Sequence, residues 1–270
     1  MAVCEVHLNG TYSLGRRSSL NVIIPENIKG RVPVLYLLHG MSDDHTAWTR
    51  WTSLERHIEG IPMIVVMPDA ELSFYTDSKV DPRQPFETYL VKDIIGFVDS
   101  TFPTIADKSG RALAGLSMGG YGAAKLALKH PDLYCAAVSF SGALLAASRP
   151  IKIAKSGPIT EDEARWMQHR TALFGDTPVG GPDDILALLK NSAPEGRPAL
   201  RIDCGTEDFL YYDNVLAHKE MIKLGIEHEY NERPGEHNWA YWDRAIVDAL
   251  PFLKSKLGID DAEKAKDNDK

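Results

Sequence analysis

The sequence predicts an α/β protein in which a mostly parallel central sheet is flanked by helices on both faces, and three observations lead there. Residues 32–38 and 63–67 are almost continuously apolar, as strands covered on both faces require, rather than alternating as half-exposed strands do. From there to residue 256, short apolar runs alternate with helix-length stretches in the βαβ rhythm of a parallel sheet. A chain of 270 residues that is 44% hydrophobic and 25% charged supplies one large core, so residues 1–258 are expected to form a single domain.

In chain order, residues 3–8 and 19–24 read as two strands joined through Asn9-Gly10, a hairpin at the sheet's edge. The strand at 32–38 ends in His39-Gly40-Met41-Ser42-Asp43-Asp44, and a helix over 48–58 leads to the strand at 63–67, which stops at Pro68-Asp69. Residues 86–102 carry apolar side chains at helical spacing, with Tyr89, Ile94, Phe97 and Val98 on the packed side. A strand at 111–114 precedes a small-residue helix that reaches His130 and is stopped by Pro131. Strands at 136–140 and 199–203, a helix over 215–224, a strand at 227–230 and a last helix over 239–256 follow.

A small helical excursion over 143–197 interrupts this rhythm. It holds a helix over 161–173, with Thr160 as N-cap and Glu163 three residues on, and a short helix over 183–190. It follows a central strand on the side where ligands bind in such sheets, which makes it a candidate wall or partial lid. Residues 259–270 are charged and lack apolar anchors, so a disordered tail is expected there.

A formal net charge of −8 without a Lys/Arg-dense stripe argues against general binding to nucleic acid or to an anionic membrane surface. No apolar stretch reaches membrane-spanning length, and the first residues carry neither a basic segment nor an apolar run of signal-peptide length. A cytoplasmic protein is therefore expected. The cysteines Cys4, Cys135 and Cys204 are scattered and odd in number, which fits free thiols in a reducing compartment. Metal-ligand spacing and phosphate-cradling loops are not evident, so no metal or organic cofactor is expected.

Gly115-Leu116-Ser117-Met118-Gly119 stands at the exit of a strand and opens a helix. A G-x-S-x-G pattern is specific in that context, because the serine occupies a sharp, strained turn and its glycine neighbours let the crossing backbone close up. Ser117 is thus the candidate nucleophile. A serine hydroxyl needs a base, and the base needs an orienting carboxylate, each at the end of a later strand. Cys204-Gly205-Thr206-Glu207-Asp208-Phe209-Leu210 follows the strand at 199–203; Asp208 is the favoured acid, with Glu207, Asp203 and Asp213 as lesser candidates. Of nine histidines, His237 in Arg233-Pro234-Gly235-Glu236-His237-Asn238-Trp239 follows the acid loop at a strand's far end. His218 falls in a helix and His228 in a strand, while His39 precedes Ser117 and suits a role holding its loop by hydrogen bonds. Two backbone N–H groups complete an oxyanion site: that of Met118, and that of Gly40 or Met41 in the loop that closes the strand at 32–38.

With these pieces the chain resembles the esterase D branch of the α/β-hydrolases, which includes tributyrin-type esterases, S-formylglutathione hydrolases, feruloyl and acetyl-xylan esterases and mycolyltransferases. The matching segments are Leu37-Leu38-His39-Gly40, Ala114-Gly115-Leu116-Ser117-Met118-Gly119-Gly120-Tyr121-Gly122-Ala123, Gly205-Thr206-Glu207-Asp208-Phe209-Leu210 and Gly235-Glu236-His237-Asn238-Trp239. They span nearly the whole domain in the family's order. The resemblance implies the α/β-hydrolase fold and a Ser117, Asp208, His237 triad. It further implies a serine carboxylesterase that hydrolyses short-chain acyl esters, with a small-molecule ester as its partner and no cofactor. The glutathione-thioester branch matches less closely, because its segment before the first helix reads differently from His39-Gly40-Met41-Ser42-Asp43-Asp44. Trp48, Trp166, Tyr211 and Trp239 are candidate walls for an aryl or saccharide group, as acetyl-xylan or feruloyl esters would need. The rival readings are a thioesterase using the same triad and a catalytically silent binding protein built on the same fold.

Overall fold

Ala2–Leu8 (β1) and Ser18–Ile24 (β2) pair antiparallel at one edge of the sheet in the computed structural model, which describes residues 1–9, 11–149 and 160–259. The continuous apolar runs become the sheet's centre: Val34–Leu38 (β3), Ile64–Pro68 (β4), Arg111–Leu116 (β5) and Ala136–Phe140 (β6) are buried at every residue. Ala199–Gly205 (β7) and the more exposed Glu229–Arg233 (β8) complete the order β1-β2-β4-β3-β5-β6-β7-β8. β2 meets β4 antiparallel, and all pairings from β4 through β8 are parallel.

The helices are Ala47–Trp51 (α1), Leu54–His57 (α2), Phe86–Thr88 (α3), Ile95–Thr101 (α4), Met118–Lys129 (α5), Glu161–Phe174 (α6), Ile185–Asn191 (α7), Tyr211–Lys223 (α8) and Trp239–Lys256 (α9). Successive residues of β3 point to opposite faces of the sheet. Val34, Tyr36 and Leu38 enter an apolar layer shared with α4, α5, α7 and α8, whereas Leu35 and Leu37 enter one shared with α1, α2 and α9. Both faces are thus covered. Among the described residues no helix is long and apolar enough to cross a membrane.

Local departures from the sequence reading have identifiable causes. The helix expected over 48–58 is two short helices, because Thr52 is extended and its hydroxyl bridges the Trp48 carbonyl at 2.5 Å and the Leu54 N–H at 3.2 Å. The Ser53 N–H is drawn instead to Asp243 of α9, at 2.7 Å. The helix expected over 86–102 is one helical segment whose middle, Tyr89–Ile94, is π-helical. β8 begins later than residue 227, since the Ile226 N–H closes the end of α8 on the Met221 carbonyl and the Ile226 carbonyl binds His228. The edge hairpin forms, but nine residues, 9–17, connect its strands rather than a tight turn, and Gly10 lies outside the described residues. Apart from Ile259, so does the expected tail. In the excursion, Thr160 and Glu163 form the reciprocal cap that the sequence proposes, and Asp184 caps α7.

α5 is buried along almost its whole length, Lys125 included. The Lys125 ammonium donates to the Tyr75 carbonyl (2.6 Å), the Thr76 hydroxyl (2.9 Å) and Glu87 (2.8 Å), so its three protons are all taken. Glu87 also binds Lys129 and His130, each at 2.9 Å. Burial alone would push the Glu87 carboxyl up, but Lys125, His130 and Lys129 outweigh it and hold the group well below its ordinary range. A depressed carboxyl contributes stability that is complete above the unfolded value near 4.3 and is lost as pH falls toward the folded one. E87Q should therefore lower stability by about 3 kcal/mol near neutral pH, where it removes the carboxylate bonded to the buried Lys125 ammonium and leaves only Asp183, 3.8 Å away, as its counter-charge. Urea denaturation at a series of pH values should show this gap to the wild type narrowing below about pH 4.

Candidate active site

Ser117 lies between the last residue of β5 and the first of α5, with φ 52° and ψ −113°. That left-handed φ is costly for a residue with a Cβ and persists only where surrounding bonds fix it. Here the Ser117 N–H donates to the Phe140 carbonyl at 2.9 Å, while its own carbonyl accepts from the Tyr121 and Ala143 N–H groups at 3.0 and 3.1 Å. The two flanking glycines are sterically required. A Cβ on Gly115 would stand 2.5 Å from the Gly119 backbone, and one on Gly119 would stand 2.5 Å from the Leu38 carbonyl oxygen.

The β8–α9 loop brings His237 to Ser117, with 3.0 Å between Nε2 and Oγ. The β7–α8 loop brings Asp208 to the other side of the ring, where Nδ1 lies 2.8 Å from Oδ2 and 3.0 Å from Oδ1. Asp208 Oδ1 accepts a further bond from the Leu210 N–H at 2.7 Å. Burial opposes charge on this carboxyl, but the bonds from His237 and the Leu210 N–H outweigh it and hold the group below its ordinary range. An anionic Asp208 at Nδ1 selects the tautomer in which Nε2 can accept the serine proton. The Phe209 and Trp242 rings confine the imidazole at centroid distances of 4.4 and 4.9 Å.

Of the four acids weighed from sequence, Asp208 is the one bonded to His237. Asp203 accepts from Tyr241 (2.5 Å) and Asn231 (2.6 Å), Asp213 pairs with Arg149, and Glu207 accepts from the Gly235 N–H. Sequence reasoning missed Ser141, which is fully buried after β6 with φ 46° and accepts from the Trp242 indole at 3.2 Å. A signal was present: like Ser117, it is a serine at a central strand's exit with glycine close behind it.

His39 is buried and braces its own loop. Its Nδ1 donates to the Gly40 carbonyl at 2.8 Å and its Nε2 accepts from the Ala70 N–H at 2.9 Å. The Asp43 N–H, at 3.3 Å, also reaches the Gly40 carbonyl. That carbonyl and the Met41 N–H belong to one trans peptide and point in opposite directions, so the N–H faces away from the His39 ring. Met41 lines the same cavity as Ser117 and Met118.

This cavity has a volume of about 1060 Å³. The excursion supplies much of its wall, through Leu145 and Arg149 before α6, Trp166 and Arg170 on it, and Leu186 and Lys190 on α7. The charged side chains there have protein partners. Arg149 pairs with Asp213, Lys190 lies 3.5 Å from Glu220, and Arg170 donates to the carbonyls of Ala146, Ala147 and Arg149. Glu163 and Asp184 cap helices. What remains to meet a ligand is mainly apolar. Of the four aromatic candidates Trp166 lines the cavity; Trp48 in the core meets the half-buried Trp239 edge-to-face, and Tyr211 donates to Glu232.

A hydroxyl, an imidazole and a carboxylate in this line form an arrangement able to carry out acyl transfer. The family model "Putative esterase" matches residues 11–253. The chain belongs to that esterase family. An acetyl esterase of Caldicellulosiruptor saccharolyticus is 30% identical over 236 residues, covering 84% of each chain. Among solved structures, the fluorophosphonate-binding serine hydrolase FphF of Staphylococcus aureus superposes on the esterase with a TM-score of 0.81 at 27% identity, covering 96% of this chain and 99% of that one. The S-formylglutathione hydrolase FrmB of the same organism gives 0.77 at 27% identity, over 94% and 99%. The esterase has the α/β-hydrolase fold, and it is a carboxylic ester hydrolase.

Proposed function

We propose that this esterase hydrolyses short-chain acyl esters through an acyl-enzyme on Ser117, with His237 as base and Asp208 as its orienting acid. The observation that carries the reading is the unbroken hydrogen-bonded line from Asp208 through His237 to Ser117 Oγ. His237 takes the serine proton as Oγ attacks the carbonyl carbon, and Asp208 stabilises the resulting imidazolium. The Met118 and Met41 N–H groups hold the oxyanion; Met41 is favoured over Gly40 because the Gly40 carbonyl is tied to His39 on the opposite side of the shared peptide. The imidazolium then protonates the departing alcohol. Water, activated by the same histidine, releases the acid.

In this reading the acetyl-sized group sits beside the N–H pair, and the alcohol portion takes the apolar remainder of the cavity. Within the excursion over 143–197, residues 143–149 and 160–197 act as a partial lid over one domain spanning 1–258, and residues 150–159 lie outside the described residues. A cytoplasmic setting is supported by the free thiols of Cys4, Cys135 and Cys204, and a small ester rather than nucleic acid as partner by the net charge of −8. Likeness to an S-formylglutathione hydrolase favours one second reading, a thioesterase with the same residues.

The test is a fluorophosphonate label followed by peptide mapping, together with a panel of esters. Labelling should fall on Ser117, and kcat/KM for p-nitrophenyl acetate should exceed that for S-formylglutathione at least tenfold. A reversed ratio would select the thioesterase. An unlabelled Ser117 would point to a silent hydrolase fold.

A further inference from the structure

Tyr75 belongs to neither the hydrogen-bonded triad nor the cavity wall, yet it ties α5 to the loop that carries Met41. Its phenol, fully buried, donates to the His39 carbonyl at 3.0 Å. Burial pushes that phenol's pKa far up, so the group stays protonated and able to donate. At its other end, the Tyr75 carbonyl accepts from Lys125 Nζ at 2.6 Å. The ring lies close enough to α5 that a Cβ on Gly122 would fall 2.4 Å from it.

The backbone under Tyr75 is strained in the same sense as that of Ser117. Phe74 and Tyr75 both take left-handed φ, 51° and 53°. Two such residues in succession need external bonds to hold them. These are the Tyr75 N–H to Ser73 Oγ at 3.0 Å, the Thr76 hydroxyl to the Phe74 carbonyl at 3.0 Å, and Lys125 on the Tyr75 carbonyl and the Thr76 hydroxyl. Thus a charge on α5 fixes a strained turn, and the turn aims one hydroxyl at one carbonyl.

We propose that Tyr75 is a positioning residue for the oxyanion site, held by Lys125 so that α5 sets the place of the second N–H donor as well as the first. The inference rests on the reading of Ser117, Met118 and Met41 given above. Its geometry is short: the His39 carbonyl lies in the peptide before Gly40, and the Met41 N–H in the peptide after it. Gly40 is the joint between them, and glycine has the softest torsions of any residue. The His39 ring and Asp43 hold the second peptide through the Gly40 carbonyl; Tyr75 holds the first. Ser117 and Met118 open α5, and Lys125 sits two turns along it. Nucleophile and both donors therefore share one rigid reference. Such alignment matters most when negative charge appears on the substrate oxygen, and little before it.

Y75F removes the hydroxyl and keeps the ring. It should lower kcat for p-nitrophenyl acetate about tenfold with KM within twofold, and weaken binding of a trifluoromethyl ketone inhibitor by about the same factor as kcat/KM falls. G122A perturbs the same contact from the helix side with the hydroxyl intact, and alanine favours the helix. It should reproduce the kcat loss and the weakened inhibitor. Unchanged kcat in a folded Y75F would overturn the proposal. So would a loss in either variant that appears only in KM or thermal stability while inhibitor affinity stays at the wild-type level. Should Y75F not fold, G122A alone decides by the same criteria. A wild type that neither turns over the ester nor takes a fluorophosphonate label would overturn the reading of the site itself, and the positioning role with it.

Discussion

S117A should lose about 10⁵- to 10⁶-fold in kcat toward p-nitrophenyl acetate while its melting temperature stays within about 2 °C of the wild type. The two halves of this expectation come from different features of the same residue. Alanine keeps the Cβ, so the cost of the left-handed φ is unchanged, and the backbone bonds to Phe140, Tyr121 and Ala143 remain. The serine side chain makes no cap bond to α5, and its hydroxyl bonds to His237. What disappears is the nucleophile alone. The residual rate would reflect the oxyanion donors and substrate binding, which in such sites retain some catalysis over water. Circular dichroism melts beside steady-state kinetics make the check, and a drop smaller than about a hundredfold would move the nucleophile elsewhere.

D208N should cost about 10⁴-fold in kcat. The amide is nearly isosteric, but it must satisfy both His237 Nδ1 and the Leu210 N–H, which the carboxylate accepts through its two oxygens. Presenting the amide nitrogen to the ring favours the tautomer with its proton on Nε2, which cannot take a proton from Ser117. Because the Asp208 carboxyl is held below its ordinary range, it stays ionised as pH falls into the acidic region. The acid limb of wild-type kcat/KM should accordingly not report this carboxyl. Measuring pH profiles for D208N alongside E207Q and D213N separates the roles. The latter two should keep turnover within about tenfold, since their carboxylates bind Gly235 and Arg149. A larger loss in either would transfer the orienting role.

The legible parts of the fold were those that local pattern determines. β3, β4, β5 and β6 announced themselves as uninterrupted apolar runs because both of their faces are covered. The strand-to-helix turn at Ser117 was readable because glycine at 115 and 119 is imposed by backbone contacts that a Cβ would violate. Chain order puts Asp208 and His237 on the loops whose side chains meet Ser117, because it fixes which strand end each loop leaves. The unreadable parts depend on partners distant in sequence. The break after Trp51 involves Asp243, 190 residues from Ser53, and no periodicity in 48–58 reports it. The preference for Met41 over Gly40 needed the direction of one peptide, set by the His39 ring. Trp48 looked as suited to a ligand wall as Trp166, yet its indole N–H is committed to the Leu38 carbonyl at 3.0 Å inside the core. Tyr75 carried no sequence signal, since its role comes from a tertiary bond to His39 and a buried lysine on another element.

The wall of the cavity has a separate origin from the chemistry beside it. Ser117, Asp208, His237 and the His39 loop hang from the ends of β5, β7, β8 and β3, whereas α6 and α7 both fall between β6 and β7. A single stretch of gene thus encodes most of what a substrate's apolar portion would touch, and none of what would touch its carbonyl. Change in α6 and α7 can alter which esters fit without touching the groups at the strand ends, so selectivity and reactivity are free to diverge as two heritable modules.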